Sequence, residues 1–403
     1  MIEMTNKVME SARVIAMEES ATLKMAQLAR DLSGKGNDVI SLSLGEPDFD
    51  TPDHIKEAAI QALKDGHTKY TPVPGLVALR ESISTKFKRD NNLDYGIDQI
   101  VVSNGAKQSI ANVSLALLNE GDEVIILAPY WVSYSAIVKL AGGVPIILNS
   151  DISTDYKVAP QDIEAAITER TKFILFSSPC NPTGSVYTHE ELEAIANLVA
   201  KHDNLYIVSD EIYEYINFTG KHVSIGAFPQ VNDRTVTING FSKGFAMTGW
   251  RLGYMGAPKW IAMACTKIQG QITSGATAFG QMAGAYALQA DMKPTHHMRE
   301  TYLKRRDIVI NMLREIPGME VNEPQGAFYV FPDVSSYFGK SVGDTVIQNA
   351  DDFCEYLLNT VYVALVTGRA FGADNCIRIS YAASEAQLVE AMKRVTSALS
   401  QLS

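Results

Sequence analysis

Short apolar runs alternate with helix-like patterns between residues 98 and 260, and this alternation predicts the core of the fold. The predicted strands cover residues 100–102, 123–127, 144–148, 173–176, 205–208 and 235–238. Helical patterns at 107–118 and 133–140 separate some of them, and Thr188 followed by Glu191 has the spacing of a helix capping box. Strands that are apolar along nearly their whole length are typical of a parallel sheet that helices cover on both faces. We therefore predict an α/β fold with a large, mostly parallel sheet flanked by helices.

The pattern changes near residue 292, which predicts a second and smaller α/β domain. Residues 292–316 have the pattern of one long helix rich in Arg and Lys, and short strands follow at 328–331 and 377–380. A helical stretch at 21–32 precedes the large sheet. The expected organisation is an N-terminal segment over 1–45 that packs with the small domain, a large domain over 46–291, and a small C-terminal domain over 292–403.

The composition narrows the class of protein. The chain has 403 residues, of which 46% are hydrophobic and 20% are charged, as in an ordinary globular protein. Its formal net charge of -11 argues against general nucleic-acid binding, although an acidic protein can still bind anions in a locally positive cleft. The sequence has no apolar run long enough for a membrane span, and its first residues lack the pattern of a signal peptide. We therefore expect a cytoplasmic protein.

The cysteines do not suggest a metal site or a disulfide framework. Cys180, Cys265, Cys354 and Cys376 lie far apart in the sequence, and no two of them form a C-x-x-C pair. We expect free thiols that are buried or partly buried, and no bound metal.

One segment carries most of the candidate chemistry. Lys243 follows the predicted strand at 235–238 and Ser242, and Arg251 comes later in the same segment. A lone Lys is usually a solvated surface residue, but the apolar strand before it and Gly244 after it favour burial. Burial lowers the pKa of an amine and makes it nucleophilic. A pyridoxal phosphate (PLP) site requires a Lys that forms an imine, a hydroxyl and a guanidinium for the phosphate, and a carboxylate for the ring nitrogen.

Two further strand ends supply candidates for the other cofactor contacts. Asp210 follows the predicted strand at 205–208, where a carboxylate either pairs with a protonated pyridine nitrogen or caps a helix. Tyr213 is either a donor to the cofactor's phenolate oxygen or a core aromatic residue. Asn181 lies in a segment with two prolines, and it is either part of a rigid turn or a second donor to that oxygen.

A phosphate site is indicated where the predicted strand at 100–102 meets a helix. Gly105 and Ala106 are small enough for a phosphate to approach the backbone, and the N-terminus of the helix offers free N–H groups. Ser242 and Arg251 complete this predicted phosphate site, since a guanidinium binds phosphate in a bidentate way.

Two more side chains fit the same kind of site. Trp131 either stacks on the pyridine ring or packs in the core. Arg378 lies within the apolar strand at 377–380, and a buried Arg requires a carboxylate, which comes either from the chain or from a substrate.

Taken together, these segments resemble a known enzyme family. The matching segments are 45–49 with 51–52, 69–70, 104–108, 129–134, 178–184, 209–213, 242–251, 326–329 and 378–381. In this order they resemble the bacterial aspartate aminotransferase branch, subgroup Iγ, of the class I PLP-dependent aminotransferases of fold type I. The resemblance runs over nearly the whole chain, and it is the combination of segments that is specific.

The resemblance implies a role for each candidate residue and a homodimer with its active sites at the interface. Lys243, Asp210 and Tyr213 are the expected catalytic residues. The expected cofactor contacts are Gly105, Ala106, Lys107, Trp131, Asn181, Asp210, Tyr213, Ser242, Lys243 and Arg251, joined by the partner subunit's Tyr70. Gly45 and Arg378 are expected to bind the substrate α-carboxylate, with Trp131 and Asn181 beside it.

The resemblance also suggests a substrate. Lys107, helped by Ser20 and Thr22, matches the position that binds the distal carboxylate of aspartate, and the alternative is a Lys on a helix surface. The implied reaction is transamination of L-aspartate with 2-oxoglutarate, giving oxaloacetate and L-glutamate by a ping-pong mechanism through the Lys243 imine. An aromatic, prephenate or broad-range aminotransferase of the same fold stays open. A PLP-binding regulator without catalysis is a further alternative, but it calls for an attached DNA-binding module or a lost Lys.

Overall fold

The computed structural model describes residues 10–15, 17 and 21–403. The helices are α1 (Ala12–Ile15), α2 (Ala21–Gly34), α3 (Asp53–Lys64), α4 (Val77–Lys86), α5 (Ala106–Leu117), α6 (Ser133–Leu140), α7 (Pro160–Ala166), α8 (His189–Val199), α9 (Lys259–Ile272), α10 (Ala278–Ala287), α11 (Lys293–Arg314), α12 (Ala350–Val361) and α13 (Glu385–Leu399). The strands are β1 (Ile40–Ser41), β2 (Ile100–Ser103), β3 (Glu123–Leu127), β4 (Val144–Leu148), β5 (Thr171–Ser177), β6 (Tyr206–Asp210), β7 (Thr235–Gly240), β8 (Gly253–Gly256), β9 (Tyr329–Val330), β10 (Ser341–Val342), β11 (Thr345–Val346), β12 (Val363–Ala364), β13 (Val366–Thr367) and β14 (Ile377–Ser380).

The large sheet has the strand order β2-β8-β7-β6-β5-β3-β4. Parallel pairs join β7, β6, β5, β3 and β4, whereas β8 runs antiparallel to both β2 and β7. The edge strand β4 contains Pro145, which an edge tolerates because a proline has no N–H to donate. The predicted mostly parallel α/β architecture is confirmed.

Helices cover both faces of this sheet, since successive residues of a strand point to opposite sides. On β3, Val124 and Ile126 belong to a core cluster with residues of α5, α6 and α9. Ile125 and Leu127 belong to a second cluster with residues of α7 and α8. Every residue of β3 is buried, which explains why residues 124–127 are apolar without alternation.

Strand β8 is an element that the sequence pattern did not predict. Gly253 and Gly256 stand at its two ends, and glycine is a weak strand former. The structure gives a reason for one of them, because a Cβ atom at Gly253 would collide with the backbone of Gly105 and Ala106. The strand is therefore specified by a close approach of two backbones, and local propensity gives no sign of it.

The C-terminal part has its own core around a three-stranded antiparallel sheet of order β13-β14-β9. Leu357 of α12 and Leu388 and Met392 of α13 share one hydrophobic cluster with Met25 and Ala29 of α2. The N-terminal helix thus packs with C-terminal elements. The domain boundaries at 45/46 and 291/292 stay predictions.

Three smaller predictions are met in the described residues. Thr188 and Glu191 form the predicted capping box at the start of α8. The long helix expected at 292–316 is α11, Lys293–Arg314. The cysteines are free and buried, as expected. Among the helices of the described residues, none is both long and apolar enough to cross a lipid bilayer.

Candidate active site

The predicted site residues meet at the carboxyl ends of neighbouring parallel strands. Asp210 is the last residue of β6, where it pairs with Ser177 of β5 and Ile238 of β7. Asn181 follows β5, and Lys243 follows β7. Because parallel strands end at the same edge of a sheet, the fold brings these three polar side chains to one crevice.

Lys243 is held at this edge by aromatic rings and a backbone carbonyl. Its side chain is only partly exposed, and its Nζ donates a hydrogen bond to the carbonyl oxygen of Gly45. The same nitrogen lies 5.6 Å from the ring centroid of Tyr213 and 5.7 Å from that of Phe328. The amine therefore points into the crevice and away from bulk solvent.

The surroundings of Lys243 favour its neutral form. Burial, and after it the positive charge of Arg378, lowers the pKa of the Lys243 amine to about 8. The carboxylates of Glu46 and Asp210 act in the opposite direction. An amine with a pKa near 8 is in part unprotonated close to neutral pH, so it can act as a nucleophile or as a base.

Asp210 is a buried carboxyl group with two hydrogen-bond donors. It is 4% exposed, its Oδ2 accepts from the Tyr134 hydroxyl at 2.7 Å, and its Oδ1 accepts from the Ile212 N–H at 3.2 Å. Burial raises the pKa of Asp210 to about 6, and both donors oppose this rise. The bond to Ile212 is a local contact in a turn and not a helix cap, because residues 212–215 form a turn and no helix begins there. The other oxygen is held by a side chain that is distant in the sequence.

Residues predicted for a phosphate site lie at the N-terminus of α5 and beside it. Gly105 has φ +84, and a Cβ atom there would collide with the guanidinium of Arg251. Arg251 itself has φ 51 and donates from Nη1 to the Thr248 carbonyl oxygen at 3.0 Å. Ser242, in the segment that follows β7, is 8% exposed. A glycine backbone without a side chain, next to a guanidinium and a helix N-terminus, fits a phosphate group.

Arg378 is a buried cation with an open position. It is 2% exposed, and it donates to Asn181 Oδ1 at 3.0 Å and to the Ser43 carbonyl oxygen at 2.5 Å. The ring centroids of Tyr329 and Phe371 lie 4.6 and 4.9 Å from its guanidinium carbon. Its Nε has no hydrogen-bond partner, and no carboxylate of the described residues forms an ion pair with it. This arrangement fits a carboxylate supplied by a ligand, since buried charges are normally paired.

Lys107 lies at the rim of the site. Its ammonium nitrogen lies 4.9 Å from the Trp131 ring centroid. Partial burial and the charge of Arg251 lower the pKa of Lys107. Trp131 in turn meets the Tyr134 ring edge-on at 5.6 Å. Lys107 and Trp131 are thus brought together, within reach of the charge of Arg251.

The remaining predicted residues are Thr22, Ser20 and Tyr70. Thr22 is half-buried in the first turn of α2, and within the described part of the chain it forms no side-chain hydrogen bond. The neighbouring Ala21 packs against the cluster that contains Phe371. Ser20 lies outside the described residues. Tyr70 is 99% exposed and lines a groove with Asn104 and other residues.

Two tyrosines were not singled out from the sequence. The Tyr134 hydroxyl contacts Asp210, and the Tyr329 hydroxyl lies 2.7 Å from that of Tyr213. Both belong to segments that carry the resemblance to the aminotransferases, at 129–134 and 326–329. The residues alone gave no sign of either contact, because each joins elements that are far apart in the chain.

A buried polar network lies next to Asp210 and was also not predicted. Lys86 forms an ion pair with Glu214. Glu211 accepts from Ser224 at 2.5 Å and contacts His222 Nε2 at 2.9 Å. Glu211, Glu214 and His222 are grouped closely enough to resemble a metal site. The Lys86 ammonium already neutralises one of the two carboxylates, so the group is explained as an internal charge network.

A match to a protein family decides what these features have in common. Residues 37–395 match the model of the family described as aminotransferase class I and II. The chain belongs to this aminotransferase family. The resemblance to class I aminotransferases is therefore confirmed, while the assignment to subgroup Iγ stays a prediction.

Individual aminotransferases are similar over almost their full length. The bifunctional aspartate aminotransferase and glutamate/aspartate-prephenate aminotransferase of Petunia hybrida is 48% identical over 394 residues, which are 96% of this chain and 82% of that protein. The aspartate aminotransferase of Rhizobium meliloti has a TM-score of 0.95 at 40% identity, covering 98% of this chain and 100% of that one. The Thermus thermophilus aspartate aminotransferase solved with maleate has a TM-score of 0.91 at 40% identity, covering 96% and 99%. The fold expected for an aminotransferase of fold type I is thus confirmed.

Proposed function

We propose that this protein is a PLP-dependent aspartate aminotransferase that transfers the amino group of L-aspartate to 2-oxoglutarate, giving oxaloacetate and L-glutamate. One observation carries the proposal. A partly neutral amine, Lys243, and a buried guanidinium without a carboxylate partner, Arg378, share one crevice at the carboxyl edge of the sheet. An amine and a carboxylate receptor side by side are what a reaction at the α-carbon of an amino acid requires.

The residues that would hold PLP follow from the fit described above. Gly105, Ala106, Ser242 and Arg251 would bind the phosphate. Asp210 would face the ring nitrogen, while Asn181 and Tyr213 would donate to the phenolate oxygen. Trp131 would cover the ring. When bound, PLP supplies an electron-poor ring that stabilises negative charge at the substrate α-carbon.

The protein's own part in the reaction is binding and proton transfer. Arg378 binds the α-carboxylate through its planar fork, with Asn181 and the Gly45 backbone beside it. Once released from the cofactor, Lys243 Nζ would take the proton from the substrate α-carbon as a base and would give it to the cofactor carbon as an acid. Its pKa near 8 suits both roles. Asp210 keeps a negative charge at the base of the crevice above about pH 6. The first product would leave before the second substrate binds to the same groups, so ping-pong kinetics are expected.

The choice of aspartate is supported by a cation at the rim and by the relatives. Lys107 is placed to bind a second carboxylate, with Thr22 and Ser20 as the other proposed contacts. The similar proteins from Rhizobium meliloti and Thermus thermophilus are aspartate aminotransferases, and the second was solved with maleate, a dicarboxylate. Prephenate is a second candidate amino acceptor, because the Petunia relative is named for it as well.

A homodimer in the cytoplasm completes the proposal. The Tyr70 ring is 99% exposed, which is unusual for an aromatic residue. We propose that it reaches the phosphate site of a second copy, so that each site is completed by the partner subunit's Tyr70.

The variant Lys243→Ala tests the proposed function. It should bind PLP without a covalent link, so that borohydride reduction followed by mass spectrometry finds no cofactor attached to the protein. Turnover of aspartate should fall on the order of 10⁴-fold or more, because one group serves as nucleophile and base. Lys393→Ala, at an exposed position of α13, is the matched control and should keep both properties. Turnover near the native rate in Lys243→Ala would overturn the assignment.

A further inference from the structure

Tyr329 touches both halves of the proposed site. It lies on β9 and is 0% exposed. Its hydroxyl lies 2.7 Å from the Tyr213 hydroxyl, and its ring centroid lies 4.6 Å from the guanidinium carbon of Arg378. A Cβ atom at Gly45 would collide with the same Tyr329 hydroxyl. One side chain thus lies between the residue proposed for the cofactor oxygen, the residue proposed for the substrate carboxylate, and the loop beside Lys243.

The hydrogen bond between Tyr329 and Tyr213 determines the direction in which the Tyr213 hydroxyl donates. Each phenol has one proton, and burial raises the pKa of both Tyr213 and Tyr329, so both stay protonated. If the Tyr213 hydroxyl donates its hydrogen bond to the cofactor's phenolate oxygen, it can only accept in the hydrogen bond with the Tyr329 hydroxyl. Tyr329 is then the donor, and its hydrogen bond orients the Tyr213 proton towards the cofactor.

The ring of Tyr329 acts on Arg378. With Phe371, whose ring centroid is 4.9 Å away, it provides two aromatic neighbours for the guanidinium. Such contacts are stronger where water is excluded, as around a side chain that is 2% exposed. The ring therefore contacts the guanidinium without using its Nε, which has no hydrogen-bond partner.

We propose that Tyr329 is a positioning residue with two separable parts: its hydroxyl orients Tyr213, and its ring orients Arg378. The inference rests on the proposed function, because Tyr213 and Arg378 take their roles from it. Since one part is a single oxygen atom and the other is the ring, two substitutions can separate them.

Tyr329→Phe tests the hydroxyl, because it keeps the ring. A hydrogen bond from Tyr213 to the phenolate oxygen favours the deprotonated form of the bound cofactor. Loss of the Tyr329 hydroxyl should weaken this hydrogen bond, so the pH midpoint of the change in cofactor absorbance should rise. The expected shift is about half a pH unit, which corresponds to the loss of one ordinary hydrogen bond. In a Tyr213→Phe background the same substitution should cause no additional shift, since the hydroxyl acts only through Tyr213.

Tyr329→Leu tests the ring. It should raise the dissociation constant for maleate, a dicarboxylate that undergoes no transamination, by about tenfold because a desolvated cation–π contact is lost. Tyr329→Phe should leave that constant within about twofold, since phenylalanine keeps the contact. Both constants are measured as ligand-induced changes in cofactor absorbance, so they do not depend on turnover.

Tyr337→Phe is the matched control for the loss of a buried hydroxyl. Its hydroxyl donates to the Pro317 carbonyl oxygen at 2.6 Å, in the C-terminal part of the chain and outside the proposed site. The control should shift neither the midpoint nor the maleate constant. An unmoved midpoint in Tyr329→Phe, or a shift of equal size with and without Tyr213, would overturn the role of the hydroxyl. Equal maleate constants for the Leu and Phe variants would overturn the role of the ring. A wild-type protein without any cofactor absorbance would instead reject the proposed function.

Discussion

The two arginines of the proposed site have opposite surroundings. Arg378 is 2% exposed and lies between the rings of Tyr329 and Phe371, whereas Arg251 is exposed and donates to the Thr248 carbonyl oxygen. Burial lowers the pKa of Arg378, because the charged guanidinium is removed from water. The exposed charge of Arg251 is screened by water and costs little.

This difference separates an inner half of the site from a rim. The inner half contains Lys243, Asp210 and Arg378, whose charges are held away from solvent, so small changes there should have large effects on the reaction. The rim contains Lys107 and Arg251, whose charges are partly screened. Changes at the rim should alter the affinity for ligands, and these changes should be smaller than the effects of substitutions in the inner half.

The largest effect is expected for Asp210→Asn. The amide keeps the shape and can still accept from Tyr134, but it removes the charge at the base of the crevice. We expect kcat for aspartate to fall about 10³-fold, the upper range for one preorganised electrostatic contact. Steady-state kinetics with saturating PLP check this. An unchanged rate would make Asp210 a local turn residue only.

The same substitution should stabilise the protein without cofactor. The pKa of Asp210 is raised to about 6 in the folded state, against about 3.9 for an unfolded Asp. The wild type therefore loses stability relative to Asp210→Asn as the pH rises from about 4 to about 6. Above that range the difference in the free energy of unfolding should reach about 2–3 kcal/mol. Urea unfolding of the two apoproteins at several pH values measures it, and a gap independent of pH would contradict the account.

A smaller but still large effect is expected for Arg378→Lys, which keeps the charge and removes the planar fork. The value of kcat/KM for aspartate should fall about 100-fold, as for loss of a buried charged contact to a ligand. PLP affinity should stay near the wild-type value, because the phosphate site is unchanged. If PLP affinity fell while kcat/KM for aspartate did not, Arg378 would bind the cofactor phosphate and not the substrate carboxylate.

Lys107→Ala tests the rim. Loss of a partly screened ion pair with the distal carboxylate should reduce kcat/KM for aspartate about tenfold. Alanine has no distal carboxylate, so its kcat/KM should change little. Equal losses for the two amino acids would remove the proposed role of Lys107 and favour a broad-range enzyme.

The smallest effect is expected for Arg251→Lys. The ammonium still offers a positive charge next to the helix N-terminus, in a position open to solvent. PLP affinity should weaken by about threefold to tenfold, and the loss should grow with ionic strength. A loss as large as that of Arg378→Lys would erase the contrast between the two arginines.

The inner half also shows what can be read from sequence. Lys243 and Asp210 could be predicted because each lies at or shortly after the end of a strand whose apolar pattern is plain. Tyr134 and Tyr329 could not be assigned contacts, since their partners are distant in the sequence and their own segments are apolar. Strand β8 was missed because glycine opposes strand propensity, and the close approach of Gly253 to Gly105 is not visible in the sequence. Ser20 and Thr22 rest on the resemblance alone.

The central claim is that the crevice accepts dicarboxylic amino acids, and a half-reaction tests it most directly. The purified protein loaded with PLP is mixed in turn with aspartate, glutamate, alanine, tyrosine and phenylalanine, without any oxo acid, and the cofactor absorbance is followed. The account predicts rapid conversion to the amino form of the cofactor with aspartate and glutamate, and slow conversion with the others. Equal or faster conversion by the aromatic amino acids would contradict it.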